Sequence, residues 1–303
     1  LEKLAFTVFE GEPENNIPAD DEAAEIWQGL GVPKTRVAYL SREDNLWGPA
    51  GKTGPCGPCT EMFYWTGSDP VPKVFDPSDK KWVEIWNDVF MQYNKTADGQ
   101  FVELAQKNVD TGLGLERVAA ILQGKNNVYE TELFTAILEK ISAISGRPYQ
   151  GNEKSFRIIA DHLRTATFIL TEGLAPSNIG RGYILRRLIR RAVRHGRLLG
   201  ITREFTSEIA QVIVAIYSDI YSELQENQDF IFAELEKEEK TFLKTLEKGL
   251  GIFETTFSLK ILDGKTAFDL YQTYGFPFEI TKELAGERGL LVDEKEFEIE
   301  MKK

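Results

Sequence analysis

The segment Val109-Asp110-Thr111-Gly112-Leu113-Gly114-Leu115-Glu116-Arg117-Val118-Ala119-Ala120-Ile121-Leu122 constrains this chain more than any other. An extended lead-in with two glycines runs into apolar positions at helical spacing, Leu115, Val118, Ala119 and Leu122, which predicts a strand or loop turning into a helix. Polar groups gather at the turn. Gly112 and Gly114 let backbone approach a ligand closely, and Arg117 falls in the first helical turn, where free N–H groups already favour an anion. Asp110 puts a carboxylate beside that anion site. The same residues also fit a glycine-bearing turn before an ordinary core helix, so other stretches must decide.

Length allows two domains: 303 residues, 42% apolar and 28% charged, describe an ordinary globular composition. The apolar runs are short and interrupted by charge, which predicts no membrane span, and Leu1-Glu2-Lys3-Leu4 has no signal-peptide architecture. A cytoplasmic location is the expectation. The chain has no initiator Met, starts almost at once with a strand-like run and ends on charged helical sequence, so it reads as a piece of something longer.

The net charge of −12 argues against nonspecific nucleic-acid affinity for the chain as a whole, but the distribution is uneven. From Arg181 to Gly200 there are seven arginines and no acid, a charge of +7 that leaves −12 − 7 = −19 for the rest.

Along the first part, Leu4–Phe9 and Val37–Leu40 read as strands, and Asp20–Leu30 reads as a helix capped by Asp20 or Asp21. Residues 45–61 read as a loop, because glycine and proline interrupt the stretch around Gly48-Pro49 and Gly54-Pro55-Cys56-Gly57-Pro58-Cys59 too often for a regular ladder; Met62–Trp65 then resumes a strand. Cys56 and Cys59 have the spacing of a thioredoxin-type redox site, yet such a site needs a strand before it and a helix after it, and here the order is reversed. Two small buried thiols in a proline-shaped turn are the plainer reading. Zinc needs four ligands, and His162 and His195 are far away with no second ligand at metal spacing. Residues 81–94 alternate as a long strand with Val83, Ile85, Val89 and Met91 on one face and Glu84, Trp86, Phe90 and Gln92 on the other; Ala97–Gln100 turns it back through Phe101–Leu104. The expected fold class is α+β, an antiparallel sheet with flanking helices over residues 1–125.

Several motifs in one order carry a resemblance. Trp47 with Thr53-Gly54-Pro55-Cys56-Gly57-Pro58-Cys59-Thr60-Glu61, then Glu84-Ile85-Trp86-Asn87 and Val89-Phe90-Met91-Gln92, then Val109–Arg117, is similar to the alanyl-tRNA synthetase family of class II aminoacyl-tRNA synthetases. The likeness continues through Arg157–His162, Pro176-Ser177-Asn178, Arg181–Arg187 and Thr273–Pro277, nearly the whole chain. It implies a partial class II sheet followed by an all-helical tRNA-recognition domain over 126–303. The glycine-bearing turn would be motif 3, with Arg117 and Gly114 at ATP and Glu84 a contact to ATP or Mg²⁺, though Glu84 also fits a solvent-facing strand glutamate. Asp110 would hold the ammonium of alanine, and Trp47, Val89 and Gly112 would wall a methyl-sized pocket. Such a pocket rejects glycine by only about 1–3 kcal/mol and rejects a hydroxyl poorly, so serine should leak through. The family answers with a zinc-dependent editing domain whose paired histidine and cysteine ligands this chain lacks, so no zinc and no editing are expected here. The reaction implied is ATP-dependent formation of alanyl-adenylate and transfer to the 3′ end of tRNA(Ala), with alanine, ATP and the tRNA acceptor stem as partners. Motifs 1 and 2 are not found, and by the family's pattern they precede Leu1 in a missing N-terminal segment of the same parent; the isolated chain is therefore expected to have little adenylation activity.

Beyond Gln123 the pattern is helical: Tyr129–Ser145, Ser155–Leu170, Tyr183–Leu199 and Glu234–Phe257. His162 fits a satisfied packing residue better than a catalyst. On Tyr183–Leu199, Arg186, Arg190, Arg194 and Arg197 lie opposite Leu185, Leu188, Ile189, Ala192 and Val193. A row of arginines suits an RNA backbone, and it equally suits pairing with Glu234, Glu236, Glu238 and Glu239 on the acidic helix. The resemblance favours RNA, with Arg181, Arg186, Arg190 and Arg194 as contacts, and places Asn178 where the family reads the G·U wobble pair of the acceptor stem. The partner position usually holds aspartate; here it is Gln272, with Asp269 one turn earlier. The acidic helix, with Leu235, Phe242, Leu246, Leu250 and Phe253 on one face, fits internal packing better than a coiled coil. Two other classes stay open: an RNA-binding module without catalysis, explaining the arginines alone, and a redox protein, explaining the cysteines alone.

Overall fold

The computed structural model describes residues 1–255 and 261–302, which divide into two compact units, Leu1–Thr131 and Glu132–Lys303. The division falls a little beyond the expected 125/126, because the turn Val128–Glu130 packs on the helix that ends at Leu122.

In the first unit, strands β1 (Leu4–Phe9), β2 (Val37–Leu40), β3 (Leu46–Trp47), β4 (Gly54–Trp65), β5 (Trp82–Lys95) and β6 (Phe101–Leu113) form a sheet of order β2-β1-β4-β5-β6, with β3 pairing β4. Only β1 and β2 run parallel; β1–β4, β3–β4, β4–β5 and β5–β6 are antiparallel. Helix α1 (Asp21–Gly29) starts where expected, the Asp20 side chain accepting from Ala23 N. It covers one sheet face: Ala23 and Ala24 pack on Val8, Trp27 stacks on Phe6 at 4.0 Å, and the Trp27 indole donates to Thr60 at 2.8 Å. A short helix, α2 (Arg42–Asn45), leads into β3.

The expected loop over 45–61 is corrected here. Leu46–Trp47 is β3, and the Gly-Pro-Cys-Gly-Pro-Cys run is strand, with a register shift between Cys56 and Cys59 that takes up the residues unable to follow the ladder. A Cβ at Gly57 would run into the backbone of Phe90, with Phe90 C at 2.8 Å and Gln92 N at 3.0 Å, so only glycine lets β4 pass this close to β5. The hairpin after β5 turns at Gly99, φ +88°, as its sequence predicts.

The second unit is helical: α4 (Glu132–Ser145), α5 (Glu153–Thr171), α6 (Gly180–Leu198), α7 (Thr206–Tyr217), α8 (Ser222–Glu226) and α9 (Gln228–Thr255), then β7 (Ile261–Leu262), α10 (Gly264–Tyr274), α11 (Phe278–Glu287), β8 (Leu291–Val292) and α12 (Glu294–Met301). Helix α3 (Leu115–Leu122) closes the first unit. Long apolar side chains build the helical core, among them Phe156, Ile159, Leu163, Leu185, Ile189, Ile213, Leu235 and Phe242, all at most 1% exposed. The acidic helix α9 packs inside the unit against α5, α6, α7 and α10 through Leu235, Phe242 and Leu246. The side chain of Phe253, and Phe257, fall outside the described residues. No described helix is long and apolar enough to cross a membrane.

Candidate functional site

The antiparallel register decides what shares a surface in the first unit. Thr7, Glu61, Asn87 and Gly112 stand opposite one another across β1, β4, β5 and β6, and Cys59, Val89 and Asp110 form the next row. Residues two apart on a strand share a face, so both rows point the same way. Thr60 bonds to α1, which places these rows on the opposite face, uncovered by that helix. Asp110, Gly112 and Val89 are thereby brought together; Trp47, on β3 beside Gly57, stands 41% exposed at the far edge of β4. Val89 is buried and forms floor, while Asp110 and Gly112 are open to solvent. Gly112 has neither a left-handed backbone nor anything within 4 Å of the place a Cβ would occupy, so neither backbone geometry nor packing demands glycine there.

The sequence reading missed two members of this face, Glu61 and Asn87. Glu61 accepts from Thr7 Oγ1 at 3.2 Å and from Asn87 Nδ2 at 3.4 Å, and Asn45 Nδ2 donates to Thr7 Oγ1 and the Cys59 carbonyl, both at 2.9 Å. Burial, with the Glu84 charge adding to it, pushes the Glu61 carboxyl up to about 7. Strand parity is the signal that would have found them, once the run before Glu61 is accepted as strand.

The turn into α3 is built as predicted. Gly114 is the N-cap and its N–H donates to the Ile85 carbonyl at 3.0 Å, while Arg117 reaches back to Glu84, donating to its carbonyl at 2.7 Å and its carboxylate at 3.1 Å. Half-exposed Arg117 is therefore held over β5 at the helix start, and Glu84 is its partner rather than a free strand glutamate. One expectation fails: Leu115 and Leu122 are 64% and 81% exposed instead of facing a core, and Ala120 is the buried member of α3.

Both cysteines are free and buried. Burial raises Cys56, and burial beside the Glu61 charge pushes Cys59 up to about 12, the opposite of the depressed thiol that redox exchange uses. They sit in a strand rather than in a turn. Among the described residues no three His, Cys, Asp or Glu side chains converge to hold a metal.

In the helical unit a cavity of about 160 Å³ is lined by Asn178, Tyr183, Arg186, Arg190, Tyr271 and Gln272, with Gly275 and Pro277 at its end. Asn178 and Gln272, about a hundred residues apart in sequence, thus share one pocket; Asp269 does not line it. Arg181 lines a separate cleft with Ile169, Leu174 and Ile184.

The arginine row is the main correction. Arg190 and Arg194 are 5% and 3% exposed and spend their charges inside the protein. Arg190 pairs with Glu238, Arg187 with Glu279, Arg191 with Glu283 at 3.0 Å, and Arg194 with Glu283 and Glu287. The partners come mainly from α11, whose glutamates at 279, 283 and 287 repeat every four residues and mesh with the α6 arginines. Of the acids expected on α9 only Glu238 serves; Glu239 instead caps α7, accepting from Phe205 N, Thr206 N and Thr206 Oγ1. Burial keeps His195 below its ordinary range, between Ser155 at 3.0 Å and Glu283. Burial would raise Glu283, yet the His195 ring 3.5 Å away and the hydrogen bonds from Arg191 hold it well below the usual carboxylate range. His162 is satisfied between Asp161 and Arg191, as a packing residue should be.

The whole chain, residues 1–303, matches the family described as tRNA synthetases class II (A). The chain belongs to this family. Among similar proteins, the alanine–tRNA ligase of Treponema denticola is 52% identical over 100% of this chain and 52% of its own length. The alanine–tRNA ligases of Treponema pallidum and Borrelia hermsii are each 48% identical, over 98% and 100% of this chain and 51% and 52% of their own lengths. The chain spans about half the length of these curated relatives. Membership of the class II synthetases accounts for the α+β sheet with flanking helices.

Proposed function

We propose that this chain carries the amino-acid face and the acceptor-stem-reading helices of an alanine–tRNA ligase. The observation that carries the reading is the uncovered row Val89–Asp110 with Gly112 two residues on, in a chain that is 46–52% identical to alanine–tRNA ligases of several spirochaetes. Asp110 supplies the carboxylate for the substrate ammonium, a charge-assisted contact. Val89 is the apolar floor, Trp47 an aromatic wall, and Gly112, with open space where a Cβ would stand, keeps that place clear for the substrate.

The chemistry needs no protein nucleophile. An alanine carboxylate oxygen attacks the α-phosphorus of ATP and pyrophosphate leaves; a hydroxyl of the tRNA 3′-terminal ribose then attacks the acyl carbon and AMP leaves. Arg117, fixed over β5 by Glu84, offers its guanidinium to the nucleotide phosphates at the N-terminal, positive dipole end of α3, with Gly114 as the close-approach point. Glu84 suits Mg²⁺, a hard cation that takes one or two carboxylates with phosphate oxygens; when bound it would neutralise polyphosphate charge. In the helical unit, Asn178 and Gln272 read base edges in the minor groove, and exposed Arg181 meets backbone phosphate.

Amino-acid-dependent ATP–pyrophosphate exchange by the longer protein containing this chain tests the reading. Alanine should support the fastest exchange, with serine and glycine measurable behind it; a faster rate with any larger amino acid would overturn it.

A further inference from the structure

One buried carboxylate joins the two sides of the Asn178–Gln272 cavity. Glu238 of α9, 6% exposed, accepts from Arg190 Nε at 2.6 Å and lies 3.2 Å from Arg186 Nε. Arg186 donates in turn to Asn178 Oδ1 in the loop before α6. Arg190, its guanidinium 5.1 Å from the Phe242 ring, donates to the carbonyl of Gly275, the left-handed residue (φ +67°) that ends the helix bearing Gln272.

These links decide what Asn178 can recognise. A free amide in an exposed loop offers donor and acceptor interchangeably. With Arg186 donating to one lone pair of its oxygen, the Asn178 amide is held in one orientation and turns its NH₂ to a ligand, and in a minor groove that NH₂ meets acceptors: purine N3, pyrimidine O2 or a ribose hydroxyl. The complementary feature, the guanine 2-amino group that a G·U wobble leaves without a partner on uracil, then falls to the side-chain oxygen of Gln272 on the opposite wall. Neither assignment holds unless loop and helix are set relative to α6, and Glu238 faces both arginines that do so, hydrogen-bonded to Arg190 and ion-paired with Arg186, whose buried Nε has no other partner among the described residues.

We propose that Glu238 is the positioning residue of this pocket: through Arg186 it fixes the Asn178 amide with its NH₂ outward, and through Arg190 it fixes the corner beyond Gln272. The proposal rests on the acceptor-stem reading given above. Its test is binding of acceptor-stem minihelices, carrying G·U or G·C at the recognised pair, to the 303-residue chain and to Asn178→Ala, Glu238→Gln, Arg186→Met and the double variant N178A/E238Q. Asn178→Ala should lower the G·U over G·C affinity ratio about tenfold, the worth of one lost hydrogen bond of ordinary strength. Glu238→Gln and Arg186→Met should lower the ratio comparably while leaving G·C affinity within about twofold, and the double variant should lose no more than either single one. Arg186→Met leaves the Glu238–Arg190 pair intact and keeps the test open if Glu238→Gln fails to fold. An unchanged ratio in Asn178→Ala overturns the reading of the pocket itself. A lowered ratio there, with Arg186→Met and Glu238→Gln either at the parent ratio or losing G·U and G·C affinity equally, overturns the positioning role alone.

Discussion

At the scale of single residues, Gly112 and Glu61 make the sharpest statements. Nothing in the described structure fills the place of a Cβ at Gly112, so Gly112→Val should leave the unfolding free energy within about 0.5 kcal/mol of the parent while abolishing alanine binding by titration calorimetry. A variant that folds and still binds alanine would remove Gly112 from the pocket wall. Glu61 has a carboxyl raised in the folded state, so its contribution to stability is present at pH below the ordinary carboxylate value of 4.5 and is lost as pH rises through about 7. Glu61→Gln keeps an acceptor for Thr7 and Asn87 without the charge; its melting temperature relative to the parent should climb between pH 5 and pH 8. A constant difference across that range would mean that the carboxyl is ionised throughout. Neither residue's role follows from local sequence. Glu61 looked like the end of a loop because its parity with Asn87 and Gly112 exists only once β4 and β5 are paired.

At the scale of elements, the turn from β6 into α3 was legible because glycine placement and helical periodicity lie within fourteen consecutive residues. The Gly-Pro-Cys-Gly-Pro-Cys strand was not, since its composition argues against a ladder and only the bulge and the close passage of Phe90 accommodate it. Gly57→Ala should therefore cost about 1–3 kcal/mol in denaturant unfolding, with the loss confined to the sheet-bearing unit. Helix α6 teaches the same lesson with charges: its amphipathic pattern predicted a helix correctly, but the glutamates that neutralise Arg191 and Arg194 stand about ninety residues away on α11. Arg194→Met should destabilise the helical unit by about 3 kcal/mol and leave the salt dependence of RNA binding unchanged. Arg181→Ala, at an exposed arginine in no described ion pair, should reduce the slope of log K against log salt by about 0.7–0.9 with little effect on stability. The reverse pattern would return the arginine row to the RNA surface.

At the scale of the whole molecule, the chain comprises a sheet unit with an uncovered face bearing Asp110 and a helical unit with a polar cavity, and it spans about half the length of its spirochaete relatives. The division into a sheet half and a helical half was readable from the change of hydrophobic period after Gln123. What the sequence hid is how little of the strong basic signal is free: a chain of net charge −12 spends most of one helix's arginines holding its own helices together. In the proposed function recognition rests on a few placed groups, and the central one is Asp110. The most direct measurement is alanine-dependent ATP–pyrophosphate exchange in the longer protein with Asp110→Asn. Loss of the charge-assisted contact, worth about 1.5–3 kcal/mol, should lower kcat/KM for alanine roughly 10- to 150-fold with the KM for ATP unchanged. An alanine kcat/KM equal to that of the parent would contradict the assignment of the β5–β6 face to the amino acid.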